Sequence, residues 1–205
     1  MSELRHIVDQ LQQHPTSRYG RRDIATIRRI IVHHSLTAGG DAFGFARYHV
    51  GSNGWPGIGY HEVITPDGTV YQTQLPTTVS YHCSGYNLSS YGICLVGNFD
   101  VGRPTENQLA ALLQRLATLR ADWGPLPVEP HSQYSTKSCP GRKFPFAELL
   151  SRLDGLENPP GPDPAPIAPP DTIPPALLPP QAEAPAPVPE TRQGCLPQWL
   201  ATRPR

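Results

Sequence analysis

Proline sets the first limit on this chain, because 16 of its 26 prolines fall after Asn158. Each proline removes a backbone donor and fixes a torsion, so residues 156–205 cannot supply hydrogen-bonded elements and read as a disordered, partly polyproline tail. The end of that tail, Cys195-Leu196-Pro197-Gln198-Trp199-Leu200, returns to apolar residues. It is either a short docking motif for a partner or an inert end. The remaining ~155 residues can bury roughly two thirds of their unfolded surface, enough for one core.

Within that part the pattern alternates between strand and helix. Leu4, Ile7, Val8 and Leu11 recur at helical spacing, so residues 1–20 read as a helix and a connection ahead of a domain at 21–155. Arg29-Ile30-Ile31-Val32-His33-His34 reads as a buried strand, and Asp41 as the cap of a helix through Phe45 and Tyr48. Tyr60 to Ile64 and Thr69 to Gln72 read as a hairpin about Pro66-Asp67-Gly68, with Tyr60, Glu62 and Ile64 on one face and His61 and Val63 on the other. Tyr91 to Gly97 is apolar enough for a central strand. Thr105 and Gln108 form a capping box ahead of Leu109, Leu112, Leu113, Leu116 and Leu119, and a short helix is expected over 144–153.

Charge and cysteine usage narrow the classes further. Seventeen basic and 17 acidic side chains give a formal net charge of zero, which argues against nucleic acid as a partner. Cys83, Cys94, Cys139 and Cys195 lack the spacing of a disulfide scaffold and suggest synthesis in a reducing compartment. The N-terminus has no signal-peptide run, and no stretch approaches the ~18 apolar residues of a membrane span.

The chemistry concentrates in His131-Ser132-Gln133-Tyr134-Ser135-Thr136-Lys137-Ser138-Cys139-Pro140. Imidazole and thiolate are the ligands zinc prefers, and a third ligand can come from His33 or His34 at the end of a strand. Strand alternation does not choose between those neighbours. Lys137, one of only two lysines, stands two residues before a candidate thiolate, where an ammonium can stabilise developing negative charge.

Val32-His33-His34-Ser35, Gly59-Tyr60-His61, the segment 82–97 and His131 through Lys137 to Cys139-Pro140 occur in the order found in zinc-dependent N-acetylmuramoyl-L-alanine amidases of type 2. The chain resembles that family, which includes phage lysozyme-type amidases and peptidoglycan recognition proteins, over residues 28–150. The resemblance implies an α/β fold with a central mixed sheet flanked by helices and a zinc cleft at one edge. It implies His33, His131 and Cys139 as zinc ligands, Tyr60 and Lys137 as the catalytic pair, and peptidoglycan as substrate. Relatives that use a glutamate base present it where this chain has Cys94, so the chain resembles the tyrosine-using branch. Tyr60 titrates too high for an easy base and is expected to orient water or the intermediate.

Two imidazoles and a thiolate would leave a zinc site of net charge about +1, able to lower the pKa of a bound water to about 7. His82 and Asn87 are candidates for the substrate cleft, and His61 for packing on the opposite sheet face. Glu62 is a lesser candidate for general base, Cys94 reads as a core thiol, and Cys83 has no assigned role. A lytic enzyme such as an endolysin is the leading expectation, acting as a monomer on the cell wall after delivery by another factor. A recognition module that binds peptidoglycan without cleaving it is the alternative, and a purely structural zinc, closed by His34, His61 or Cys83, is the third.

Overall fold

Ile30, Ile31 and Val32 are fully buried, as a strand covered on both faces requires. A computed structural model describes residues 4–157. In chain order its elements are β1 (Leu4–His6), β2 (Gly20–Arg21), β3 (Arg29–His34), α1 (Ala42–Gly51), β4 (Glu62–Ile64), β5 (Val70–Gln72), β6 (Thr78–Val79), β7 (Ser90–Leu95), α2 (Glu106–Trp123), β8 (Val128–Pro130) and α3 (Phe146–Glu157). Six strands form a mixed sheet in the order β1-β5-β4-β7-β3-β8, and β2 pairs with β6 separately. Only the β4–β5 hairpin in the large sheet is antiparallel.

Side-chain alternation gives the sheet two different faces. Ile30, Val32, Ile64, Tyr91, Ile93 and Leu95 meet the leucines of α2 and Leu149 and Leu153 of α3. Val63 and Cys94 pack on the other side with Ala42 and Ala46 of α1 and with Ile58. The structure is therefore a three-layer sandwich, as expected. Helix α2 starts with the complete Thr105–Gln108 capping box and ends at Gly124, whose φ of 92° suits glycine. Among the described residues no helix is long and apolar enough to cross a membrane.

Three local expectations are corrected. The N-terminal helix is absent: Leu4–His6 is a strand parallel to β5, followed by a single 3-10 turn over Val8–Gln10. Pairing on the sheet edge satisfies this backbone, while Ile7 and Leu11 bury on the α1 side and Leu4 packs on the other core. Tyr60 does not share a face with Glu62, because β4 begins only at Glu62 and alternation does not extend back through the preceding turn. Tyr60 packs toward α1, whereas Glu62 lies under α2 and accepts from Arg115 Nη2 (2.6 Å) and Tyr91 Oη (2.9 Å). Helix α3 continues past the boundary expected at residue 155. The expectations for the proline-rich tail and Cys195 lie outside the described residues.

Candidate active site

Strands β3 and β8 run parallel and in contact, with Val32 opposite Pro130, so their C-terminal ends lie side by side. Loops leaving that end of an open parallel sheet are where ligands usually bind. His33 is the next-to-last residue of β3 and projects to the α1 side, in register with Cys94. His131 follows β8 directly, and its ring centroid lies 4.5 Å from that of His33.

The following loop returns Cys139 to the same point. Ser132 N donates to the Cys139 carbonyl at 2.6 Å. On either side of the cysteine, Asp100 accepts from Ser138 Oγ (2.6 Å) and from the Arg142 amide (2.9 Å). The His34 amide donates to Cys139 Sγ at 3.4 Å. One ligand atom from each of His33, His131 and Cys139 lies within 4.8 Å of the others, and Cys139 Sγ is 3.7 Å from His33 Nδ1. A tetrahedral zinc with bonds of about 2.0–2.3 Å holds its donors roughly 3.3–3.8 Å apart, so small side-chain adjustments suffice and the donor set fits the ion.

His34, His61 and Glu62, weighed as another ligand, a fourth ligand and a base, are otherwise engaged. His34 turns to the opposite face, where its Nδ1 accepts the Phe99 amide at 3.2 Å. His61 is fully buried, its Nδ1 accepting the Gly92 amide (3.0 Å) and its Nε2 lying 2.9 Å from Arg22 Nη2 and 3.1 Å from the Thr78 carbonyl. Glu62 is bound in its ion pair on the other side of the sheet, away from the cleft.

Burial sets the charge states. It pulls His33 well below the usual imidazole range, with His82 and His131 adding to the effect, and it lowers His131 with help from Lys137. Both rings are thus neutral, the form that ligates. Burial pushes the Cys139 thiol up to about 11, against the pull of the His34 amide and Lys137. A cation in the pocket would have to draw off that proton. Burial likewise raises the Tyr60 phenol well above 10, reinforced by Cys94 and Cys139. Tyr60, half-buried with its ring centroid 5.4 Å from that of His33, therefore remains a donor.

A cleft of about 460 Å³ opens over these groups and is lined also by Leu36, Trp55, Tyr81 and Lys137. A second hollow of about 440 Å³ shares Trp55, Tyr81, His82, His131 and Lys137 with it, making one elongated groove. Asn87 lines the second hollow, but its Oδ1 accepts the His82 and Cys83 amides at 3.0 and 2.8 Å and so shapes the loop. His82 is buried, with its Nδ1 3.0 Å from His33 Nε2. Sequence reasoning missed Trp55 and Tyr81 as groove walls and Asp100 as the brace of the cysteine loop. Trp55, a lone aromatic among turn formers, carried a readable signal; Asp100, forty residues from its partners, carried none.

A family model described as N-acetylmuramoyl-L-alanine amidase matches residues 23–142, more than half of the chain. The endolysin of Enterobacteria phage T3 is 35% identical over 124 residues, covering 57% of this chain and 82% of that one. The endolysin of Enterobacteria phage K11 is 38% identical over 92 residues, 42% of this chain, and the match spans only 61% of that relative's length. Among solved structures, the endolysin amidase LysCS from Clostridium intestinale superposes with a TM-score of 0.66 at 25% identity, covering 75% of this chain and 97% of that one.

Proposed function

Starting from the N-acetylmuramoyl-L-alanine amidase family, to which this chain belongs, we propose that its groove hydrolyses the amide between the lactyl group of N-acetylmuramic acid and L-alanine in peptidoglycan. The observation that carries the proposal is the convergence of His33, His131 and Cys139 at the floor of a groove that Lys137 overhangs. Three protein ligands leave one position open, which is the arrangement of a catalytic site; a structural zinc is closed by four. Zinc held there would supply a water of lowered pKa and polarise the amide carbonyl.

The chain's own residues then have separate tasks. Lys137, exposed and close enough for its charge to be felt at His131 and Cys139, places an ammonium where the amide oxygen becomes negative. Tyr60 stays protonated and donates a hydrogen bond that orients the water or the tetrahedral intermediate. Trp55 and Tyr81 offer ring faces to the sugar and exclude water from the reacting bond. In the reaction the water oxygen joins the lactyl carbonyl carbon, the C–N bond breaks, and the proton passes to the L-alanine amine.

The test is mass spectrometry of purified peptidoglycan incubated with zinc-loaded protein beside a chelated control. New L-alanine amino termini, without new reducing sugar ends and only in the zinc-loaded sample, are expected. Intact peptidoglycan despite bound zinc and demonstrable wall binding would replace the proposal with a recognition module.

A further inference from the structure

His82 is a buried polar group lining the groove, both of its nitrogens have partners, and the reaction as described gives it no role. Its Nδ1 lies 3.0 Å from His33 Nε2, and its Nε2 lies 3.1 Å from Ser90 Oγ and 3.4 Å from the Ser90 carbonyl. Ser90 Oγ is in turn 2.7 Å from the Tyr86 carbonyl. Donors and acceptors along this line can be assigned from its far end, since a carbonyl only accepts. Ser90 must give its proton to Tyr86 O, so its oxygen is left to accept from His82 Nε2. The Ser90 carbonyl demands a proton on the same nitrogen. A neutral imidazole carries one proton, so His82 Nδ1 is an acceptor and His33 Nε2 is the donor.

That leaves the lone pair of His33 on Nδ1, the nitrogen 3.7 Å from Cys139 Sγ. We infer that His82 is a positioning residue that fixes the tautomer and ring orientation of His33, with the Tyr86 carbonyl setting the direction of the hydrogen-bond line. The niche is built for this ring: a Cβ on Gly92 would stand 2.5 Å from His82 Cγ, and the Asn87 side chain holds the His82 amide at 3.0 Å. Metal-bound histidines usually donate their second N–H to a carboxylate, a carbonyl or water. A neutral imidazole in that place orients the ligand without adding negative charge, which preserves the electrophilic character of the site.

The inference rests on the reading of His33 as a metal ligand, and its test separates the two. In the metal-free, unaltered chain labelled with nitrogen-15 histidine, long-range nitrogen–proton correlation spectra should show both His33 and His82 protonated on Nε2. An Nδ1–H tautomer at either ring overturns the assignment, and absence of zinc binding by the unaltered chain overturns the ligand reading instead. His82→Leu should weaken zinc binding about 10–100-fold in competition with a chromophoric chelator. His82→Asn, whose Oδ1 can accept in place of Nδ1, should recover most of that loss. Unchanged zinc affinity in His82→Leu with a raised KM for peptidoglycan would make His82 a substrate contact and refute the positioning role. If His82→Leu does not fold, the tautomer measurement decides alone.

Discussion

Replacing Gly92 by alanine should unseat His82 without touching a candidate ligand. A Cβ on Gly92 would lie 2.5 Å from His82 Cγ, 2.6 Å from Nδ1 and 2.9 Å from Cδ2, where ordinary contact begins at 3.4 Å. The ring would have to move roughly 1 Å. It is held at 3.0 Å on one side and 3.1 Å on the other, so a shift of that size along the line between its partners takes one contact beyond the ~3.5 Å reach of a hydrogen bond. Overpacking a tight interior costs about 1–3 kcal/mol, and leaving a buried polar group unpaired costs about 1–3 kcal/mol more. Alanine regains only about 0.5–1 kcal/mol by restricting the unfolded chain. The steric and polar losses win, and Gly92→Ala should destabilise the metal-free protein by about 2–4 kcal/mol, a large share of the ~5–15 kcal/mol that holds a domain together. Urea unfolding followed by tryptophan fluorescence measures this, read at unchanged m-value. Gly39→Ala, where an added Cβ meets nothing within 4 Å, is the control and should stay within about 0.5 kcal/mol of the parent. A loss below about 0.5 kcal/mol for Gly92→Ala, with zinc affinity unchanged, would refute the packing argument and the role given to the His82 niche.

Lys137→Met should lower turnover about 10²–10³-fold, the usual cost of losing a group that stabilises an oxyanion, while zinc affinity and thermal stability stay put; unchanged kcat would remove Lys137 from the mechanism. Arg115→Met should cost about 3–5 kcal/mol because it strands the fully buried Glu62, whereas Glu62→Leu with Arg115→Met should cost far less than the two single losses combined, as a double-mutant cycle in urea will report. Burial lowers His49 from 6.5 to about 4, so only the unfolded chain takes up this proton between those values. The His49 contribution is then whole above pH 6.5 and lost as pH falls toward 4. The 2.5-unit shift is worth about 3 kcal/mol, and the stability gap between parent and His49→Gln should shrink by that order across this window. A gap that does not change with pH would show that His49 is not held neutral.

What was readable in the sequence depended on whether the signal was local. The capping box at Thr105 and Gln108, the leucine stripe of α2, the Asp41 cap and the turn at Pro66-Asp67-Gly68 are all written within a few residues, and the structure has each of them. Residues 4–11 misled because their helical spacing competes with an open sheet edge beside β5, and edge pairing won. Tyr60 misled for a related reason: two-residue alternation is a property of a strand, and the strand starts two residues later. At the site, the choice of His33 over His34 came from the resemblance alone, because strand alternation does not decide between neighbours; the register of β3 against β7 places His33 beside Cys94. The hydrogen-bond line through His82 was beyond reach, because its members are the ring of residue 33, the hydroxyl and carbonyl of residue 90 and the carbonyl of residue 86.

Arg22, buried beside the groove loop, donates to the carbonyls of Pro76, Asn87, Leu88 and Ser90 at 2.7–2.9 Å. It grips main chain alone in these four bonds, so its hold does not depend on which side chains the gripped residues carry. The groove wall can therefore be rewritten at exposed positions such as Tyr81 and Ser84 while the bolt behind it stays fastened. Substrate preference in this scaffold is separable from its stability, and a library confined to those two positions would vary one without spending the other.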